Sequence, residues 1–212
     1  MNAHSALPAA APNPIATAPG NLRRLVLTGF IPPPKTTIGR LLAGRLGWDF
    51  LDLDASIEAR TGLTVPSIFA IHGEPRFRQL ESQALASALG SNHIVLALGG
   101  GTPEVLTNRL LLEQTPATAT IFLDAPFPTL FDRCMMQALN PPATSANTAA
   151  TALPGQARPL LADPATAEAR FLARQPIYRR LARLTVDTAS LTTDETVTAL
   201  LAALSQPPTL RR

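Results

Sequence analysis

One stretch of the sequence combines residue types that bind phosphate groups. Gly29 is followed by Lys35 and Thr36 at the spacing of the phosphate loop G-x-x-x-x-G-K-[ST], with Pro34 in place of the second glycine. In such a loop, backbone N–H groups and the lysine hold phosphate oxygens, and the hydroxyl group binds Mg²⁺. The pattern predicts a phosphate-binding loop. A proline-rich turn between a strand and a helix is the alternative.

Two other segments carry residues with possible chemical roles. Asp52 and Asp54 end a strand-like run, and because alternate residues of a strand point to the same face, both carboxylates can face one cleft. The alternative for Asp54 is that it only caps a helix that begins at Ala55. The glycines Gly99–Gly101 follow another strand-like run, where the backbone can approach a ligand closely. A tight turn without a binding role is the alternative for these glycines.

Four arginines are candidates for binding anionic groups, because a guanidinium group pairs with carboxylates and phosphates through two parallel hydrogen bonds. They are Arg78, Arg133, Arg158 and Arg174. For Arg78 the alternative is an ion pair with Glu81, three residues further along the same helix, on a solvated face. Arg133 and Arg158 bracket residues 138–157, which show no periodicity and are rich in Ala, Thr, Pro and Asn. We expect a lid over the site in this region, at about 134–160, and a disordered insertion is the alternative.

An alternation of short apolar runs and amphipathic stretches must position these residues. The apolar runs predict strands at Leu25–Thr28, Phe50–Leu53, Ile94–Leu98, Thr120–Leu123 and Leu184–Val186. The amphipathic stretches predict helices at Lys35–Leu46, Ala55–Thr61, Pro66–His72, Pro75–Leu89, Pro103–Gln114, Phe127–Leu139, Ala165–Leu181 and Thr193–Leu204. This alternation predicts a three-layer α/β fold with a mainly parallel sheet. Ligands bind such sheets beyond the carboxyl ends of the strands.

Length and composition limit the remaining possibilities. The 212 residues suit one folded domain, expected at 21–204, between a disordered Ala/Pro-rich tail at 1–20 and a flexible tail at 205–212. Cys134 is the single cysteine, which excludes an intramolecular disulfide. No long apolar run and no secretory signal pattern are present, so we expect a cytoplasmic location. The net charge of +3 is spread along the chain, so neither nucleic acid nor a membrane is expected as a partner, and we predict a monomer.

The motifs, taken in order, resemble those of the shikimate kinase family. GFIPPPKTTIGRLLAGRLGWDFLDLD is similar to the family's phosphate loop, first helix and D-x-D pair. ARTGLTVPSIFAIHGEPRFRQLE is similar to its R-T-G and F-R-x-x-E motifs, and LGGGTP, FLDAP, RPLL and RQPIYRRLA follow in the family's order. The resemblance covers about Leu22 to Thr188. It implies a P-loop kinase fold, three-layer α/β/α, with a five-stranded parallel sheet, flanking helices and a lid.

The resemblance also implies an activity and a role for each candidate residue. The activity is transfer of the ATP γ-phosphate to the 3-hydroxyl of shikimate, with Mg²⁺. The implied ATP site comprises Pro32, Pro33, Pro34, Lys35, Thr36, Thr37, Arg133 and Arg158. The implied shikimate site comprises Asp54, Arg78, Gly99, Gly100, Gly101 and Arg174. Thr36 would bind Mg²⁺ directly and Asp52 through water. Catalysis would rest on Lys35 and Arg158, which neutralise the phosphoryl group, and on Asp54, which orients or deprotonates the hydroxyl.

Two departures from the family pattern bear on activity. The three prolines have no backbone N–H, and each lost charge-assisted donor would cost about 1.5–3 kcal/mol. We therefore expect ATP to bind weakly, held by the N–H groups at the start of the helix and by Lys35 and Arg158. The lid is longer than is usual in the family. The alternatives are a relative that binds shikimate or a partner without using ATP, and a related kinase for another polyol or acid. Arg78 and Arg174 favour a carboxylated substrate.

Overall fold

The computed structural model describes residues 20–30, 35–139 and 163–205. Most of the predicted tails at 1–20 and 205–212 and most of the predicted lid therefore lie outside the described residues, as do Pro32, Pro33, Pro34 and Arg158. No helix within the described ranges is long and apolar enough to cross a membrane.

Strands and helices alternate along the described part of the chain, as the sequence predicts. The strands are β1 (Arg24–Thr28), β2 (Asp49–Asp52), β3 (Ile94–Ala97), β4 (Thr118–Asp124) and β5 (Leu184–Asp187). The helices are α1 (Lys35–Leu46), α2 (Leu53–Thr61), α3 (Val65–Leu89), α4 (Leu106–Gln114), α5 (Phe127–Leu139), α6 (Pro164–Leu181) and α7 (Thr193–Ser205). A short 3₁₀ turn, Thr102–Glu104, precedes α4.

The strands form one sheet, in the order β2-β3-β1-β4-β5, and the neighbouring strands are parallel. This confirms the predicted five-stranded parallel sheet. The register places Ala97 beside both Leu27 and Asp52. The carboxyl ends of β1, β2 and β3 therefore lie side by side, and the segments that leave them share one edge of the sheet.

The sheet is buried on both faces, which explains why its strands are almost continuously apolar. All five residues of β1 are buried. Leu25 and Leu27 point to the face covered by α1 and α7, whereas Val26 points to the face covered by α2 and α3. A third apolar cluster joins β4 to α5 and α6 and includes Phe30 and Tyr178. The outer layers hold α1 and α7 on one side and α3 on the other, as a three-layer fold requires.

Two of the predicted helix boundaries have different outcomes. The predicted helices at Pro66–His72 and Pro75–Leu89 are the two helical parts of α3, which are separated, as predicted, by a kink at Gly73, whose φ of 75° and ψ of 169° are non-helical. The predicted helix Pro103–Gln114 is wrong at its start. Residues Thr102–Glu104 form the 3₁₀ turn, Val105 is extended, and α4 begins only at Leu106.

The amino ends of β2 and β3 meet at the opposite edge of the sheet. Trp48 immediately precedes β2, and its ring centroid lies 5.5 Å from that of His93, which immediately precedes β3. Trp48 is partly buried and packs against the core beneath α1. This pair of rings is thus separated by the length of the strands from the edge at which β1, β2 and β3 end.

Candidate active site

Lys35 begins α1 directly after the proline-containing loop. Its side chain is 3% exposed, and its Nζ donates a hydrogen bond of 2.9 Å to the carbonyl oxygen of Gly29 at the end of β1. Burial lowers the pKa of Lys35 to about 8, although the nearby carboxylates of Asp54 and Asp52 favour the charged form. The structure thus holds an ammonium group at the carboxyl end of the sheet.

Thr36 and Asp52 place hard oxygen atoms next to this lysine. The Thr36 hydroxyl donates to Asp52 Oδ2 at 2.7 Å. The other carboxylate oxygen of Asp52 accepts from the backbone N–H groups of Asp54 and Ala55, at 3.1 and 3.3 Å. Asp52 therefore caps α2, and the alternative interpretation of Asp54 as the helix cap is wrong. The helix begins at Leu53, two residues earlier than predicted.

Asp54 lies in the first turn of α2 and is partly buried, with its Oδ1 atom inaccessible to solvent. Its Oδ1 has no hydrogen-bond partner within the described residues. Burial, together with the negative charges of Asp52 and Glu81, raises its pKa to about 7, against the opposing effect of Lys35. A carboxyl group with a pKa near neutrality and an unused oxygen is suited to accept a proton from a hydroxyl group.

The glycine turn, Gly99–Gly101, packs against the residues of the site. A methyl group on Gly99 would lie 3.0 Å from Asp54 Oδ1, and one on Gly101 would overlap the Arg78 guanidinium. The Gly100 carbonyl accepts a hydrogen bond of 2.5 Å from the buried Tyr178 hydroxyl. Glycine is needed in this turn because the backbone is closely approached by neighbouring side chains.

Arg78 forms the ion pair with Glu81 that its spacing suggests, but the pair is not on a solvated face. Arg78 Nη1 lies 2.8 Å from Glu81 Oε2, and the Glu81 side chain is fully buried. Glu81 also accepts a hydrogen bond from the Thr102 hydroxyl, and Arg78 pairs with Glu74 at 2.8 Å. Burial alone would lower the pKa of Arg78, but the two glutamates raise it. Arg78 is therefore a fixed cation beside the glycine turn.

Arg174 reaches the same place from α6. It is 8% exposed, and its guanidinium carbon lies 5.6 Å from the centroid of the Phe30 ring. Arg174 Nη2 lies 2.7 Å from Glu104 Oε2, and Arg78 Nη2 lies 3.9 Å from that same oxygen. The two arginines, 96 positions apart in the sequence (174 − 78), thus converge on one carboxylate oxygen.

Arg133 lies on α5 and lines a separate cleft. Its guanidinium donates to the carbonyl oxygens of Thr188 and Ala189 just beyond β5. The cleft is lined by Ile38, Arg133, Thr188, Leu191, Thr192, Thr193 and Thr196. Ile38 belongs to α1, so the cleft is adjacent to the helix that begins at Lys35. Arg133 is anchored at the place where α1, α5 and the segment after β5 meet.

Two residues of this arrangement, Glu104 and Tyr178, are not among the candidates that the sequence indicates. Glu104 supplies the carboxylate between Arg78 and Arg174, and Tyr178 fixes the glycine turn. A weak signal for Glu104 was available, since it is an acidic residue three positions after a glycine turn at a strand end. For Tyr178 the signal is its position four residues after Arg174, on the same face of a helix.

Comparisons with known proteins give this arrangement a context. A family model described as shikimate kinase matches residues 34–205. A shikimate kinase of Geobacter sulfurreducens is 35% identical over 184 residues, which are 87% of this chain and 92% of the relative. One from Bordetella pertussis is 38% identical over 90% of this chain and 82% of its own length. The structure of a shikimate kinase from Acinetobacter baumannii in complex with shikimate has a TM-score of 0.69 at 29% identity, covering 86% of this chain and 93% of that one.

Proposed function

This chain belongs to the shikimate kinase family, and we propose that it transfers the γ-phosphoryl group of ATP to the 3-hydroxyl of shikimate. Members of this family are phosphotransferases, which agrees with the activity that the sequence motifs predict. The product is shikimate 3-phosphate.

The observation that carries the proposal is the convergence of Arg78 and Arg174 beside Asp54. Shikimate has a carboxylate and hydroxyl groups on one ring. A site for it needs a pair of cations for the carboxylate and a hydrogen-bond acceptor for the hydroxyl groups. Arg78 and Arg174 supply two guanidinium groups within reach of a single carboxylate oxygen. Asp54 lies against Gly99 of the same glycine turn, and its Oδ1 has no hydrogen-bond partner within the described residues. These features support a ligand that carries both groups.

In the proposed reaction, Asp54 accepts the proton of the attacking hydroxyl group. The hydroxyl oxygen forms a bond to the γ-phosphorus, and the bond from that phosphorus to the bridging oxygen of ADP breaks. The proton moves to Asp54, whose pKa of about 7 suits a base that works near neutral pH. Lys35 leaves the Gly29 carbonyl and neutralises charge on the phosphoryl oxygens.

The residues beside Lys35 fit a magnesium ion. Mg²⁺ prefers oxygen ligands and keeps several waters, so one hydroxyl and one carboxylate suffice on the protein side. Thr36 and Asp52 supply these two groups, and within the described residues no group of three or more His, Cys, Asp or Glu side chains competes with them. When bound, the ion would be held by Thr36 and Asp52 and would supply positive charge that offsets the charge of the ATP phosphates. We assign Arg133 to the adenine side of ATP, and Arg158, with Thr37 and Pro32–Pro34, to its phosphates.

An ADP-release assay with shikimate, ATP and Mg²⁺ tests the proposal. We expect ADP release that depends on shikimate, and shikimate binding at least tenfold weaker by calorimetry in Arg78→Ala and Arg174→Ala, because each variant loses charge-assisted hydrogen bonds of about 1.5–3 kcal/mol. Arg180→Ala is the matched control, since Arg180 is exposed on the same helix as Arg174.

Two results would contradict the proposal. Shikimate binding that is equally strong in the wild type and in both variants would remove Arg78 and Arg174 from the site. Shikimate binding without ADP release would favour the alternative of a relative that does not use ATP, for which the three prolines are the sequence feature.

A further inference from the structure

Glu104 occupies the space between the two arginines that are proposed to bind the substrate carboxylate. Its Oε2 lies 2.7 Å from Arg174 Nη2 and 3.9 Å from Arg78 Nη2. A carboxylate oxygen between two guanidinium groups is the arrangement that a bound carboxylate ligand would make. The proposed function, however, gives Glu104 no part in binding or in phosphoryl transfer.

The two arginines depend on Glu104 to different degrees. Arg78 also pairs with Glu74 and with the fully buried Glu81, at 2.8 Å in each case. Arg174 is 8% exposed, its Nε has no hydrogen-bond partner within the described residues, and its ion pair in that part of the chain is with Glu104. If Glu104 moves away, Arg78 remains paired, whereas Arg174 becomes a buried cation that requires another anion.

Glu104 is also the carboxylate that can leave with the least rearrangement. Its side chain is 41% exposed, compared with 0% for Glu81. Glu104 ends the 3₁₀ turn, and the next residue, Val105, is already extended, with φ of −77° and ψ of 120°. The side chain of Glu104 can therefore turn into solvent without a change in α4. An ion pair exposed to this degree holds its partner only weakly.

We propose that Glu104 is an internal competitor of the substrate carboxylate, which neutralises Arg174 in the free protein and is displaced when shikimate binds. This inference rests on the proposed function. Shikimate binds only to molecules in which Arg174 is released from Glu104. The apparent Kd for shikimate is therefore the intrinsic Kd divided by the fraction of molecules in that state. Glu104 thus acts on substrate binding through Arg174, and it takes no part in the transfer of the phosphoryl group.

The variant Glu104→Gln tests this inference, because glutamine keeps the size of the side chain and removes its charge. We expect the Kd for shikimate, measured by calorimetry, to fall about three- to fivefold, the range for loss of a partly exposed ion pair. The KM for shikimate should fall with it, while the KM for ATP stays unchanged. Glu113→Gln is the matched control, since Glu113 is exposed on α4 and the variant makes the same change of charge.

The double variant Glu104→Gln/Arg174→Ala separates competition from other effects. If Glu104 acts through Arg174, removing its charge brings no gain when Arg174 is absent. An unchanged or larger Kd in Glu104→Gln, with an active wild type and an unchanged melting temperature, would overturn the inference alone, and a larger Kd would mean that Glu104 holds the arginines in place for the substrate. A wild type that neither binds shikimate nor releases ADP would overturn the proposed function, and this inference with it.

Discussion

Burial shifts the pKa values of Asp54 and Lys35 toward neutral pH from opposite directions. Burial raises the pKa of Asp54 to about 7 and lowers the pKa of Lys35 to about 8. In the proposed reaction the carboxylate must be deprotonated and the ammonium protonated. Both conditions hold together only in a narrow interval of pH, and each charge favours the other because they have opposite sign.

We therefore predict a narrow bell-shaped dependence of kcat/KM for shikimate on pH. Activity should rise as Asp54 loses its proton near pH 7 and should fall as Lys35 loses its proton near pH 8. The measurement is ADP release between about pH 5.5 and 9.5 at constant ionic strength. A profile that is flat across this range would mean that neither group titrates in the catalytic step.

Asp54→Asn should lose turnover and gain stability. The pKa of Asp54 is higher in the folded protein, about 7, than its ordinary value of 3.8, so the folded state binds the extra proton between these values and stability is lost as the pH rises through them. In Asp54→Asn no buried carboxyl group ionises, so this loss of stability with rising pH is absent. We expect a melting temperature at pH 8 that is higher by at least about 2–4 °C, the shift for 1 kcal/mol in a domain of this size.

The gain from Asp54→Asn should vanish as the pH falls toward 4, where aspartic acid is itself neutral. Asp49→Asn is the matched control, because Asp49 is exposed at the start of β2, the strand that leads into the helix of Asp54. An Asn variant that keeps near-full kcat, or that melts below the wild type at pH 8, would contradict the assignment of Asp54 as a buried base.

At the scale of elements, α6 shows how a single helix can position several parts of a site. Arg174 and Tyr178 stand four residues apart and so project from one face. Arg174 forms an ion pair with Glu104, and the Tyr178 hydroxyl donates a hydrogen bond to the Gly100 carbonyl oxygen. Burial raises the pKa of Tyr178, so its hydroxyl keeps the proton that it donates. The helix therefore fixes the glycine turn relative to the arginine that is proposed to bind the substrate carboxylate.

The segment between β1 and α1 has Pro34 where the phosphate-loop pattern G-x-x-x-x-G-K-[ST] has its second glycine. Three successive prolines cannot donate hydrogen bonds to phosphate, whereas the helix that starts at Lys35 keeps its N–H groups. We predict that Pro32→Gly/Pro34→Gly raises kcat/KM for ATP at least about tenfold, equivalent to one hydrogen bond of about 1.4 kcal/mol.

The control for the glycine variant is Pro207→Gly/Pro208→Gly, which changes two prolines near the carboxyl terminus. ATP affinity and turnover should be measured separately, since restored donors act on both. If the loop variant is no better than the wild type, the loop does not bind phosphate through its backbone as the family pattern implies.

At the scale of the whole molecule, the sequence predicted the elements well because their signals are local. Apolar runs of a few residues placed β1 to β5 within two residues of their bounds, and the helical periodicity placed α1 and α5 at both ends. The failures are also local. Proline at position 103 suggested the start of a helix, but the glycine turn before it favours a 3₁₀ turn.

The partners within the site could not be predicted in the same way. Arg174 and Glu104 are 70 residues apart in the sequence, and their contact depends on how α6 packs beside the turn that follows β3. Glu81 is spaced like a surface partner of Arg78, and only the packing of α3 against the sheet reveals that it is buried. Side-chain types and spacing can identify candidates, but the pairing of charges follows from tertiary structure.

The ring pair at the amino ends of β2 and β3 has a consequence for optical measurements. Trp48 is the single tryptophan of the chain, so it dominates the intrinsic fluorescence. It lies at the amino ends of the strands, in contact with His93 and the core beneath α1, whereas the proposed binding site lies at their carboxyl ends. Its emission therefore reports exposure of the core on denaturation and is insensitive to occupancy of the site. Fluorescence can follow unfolding in the presence of nucleotide or shikimate without a contribution from binding itself.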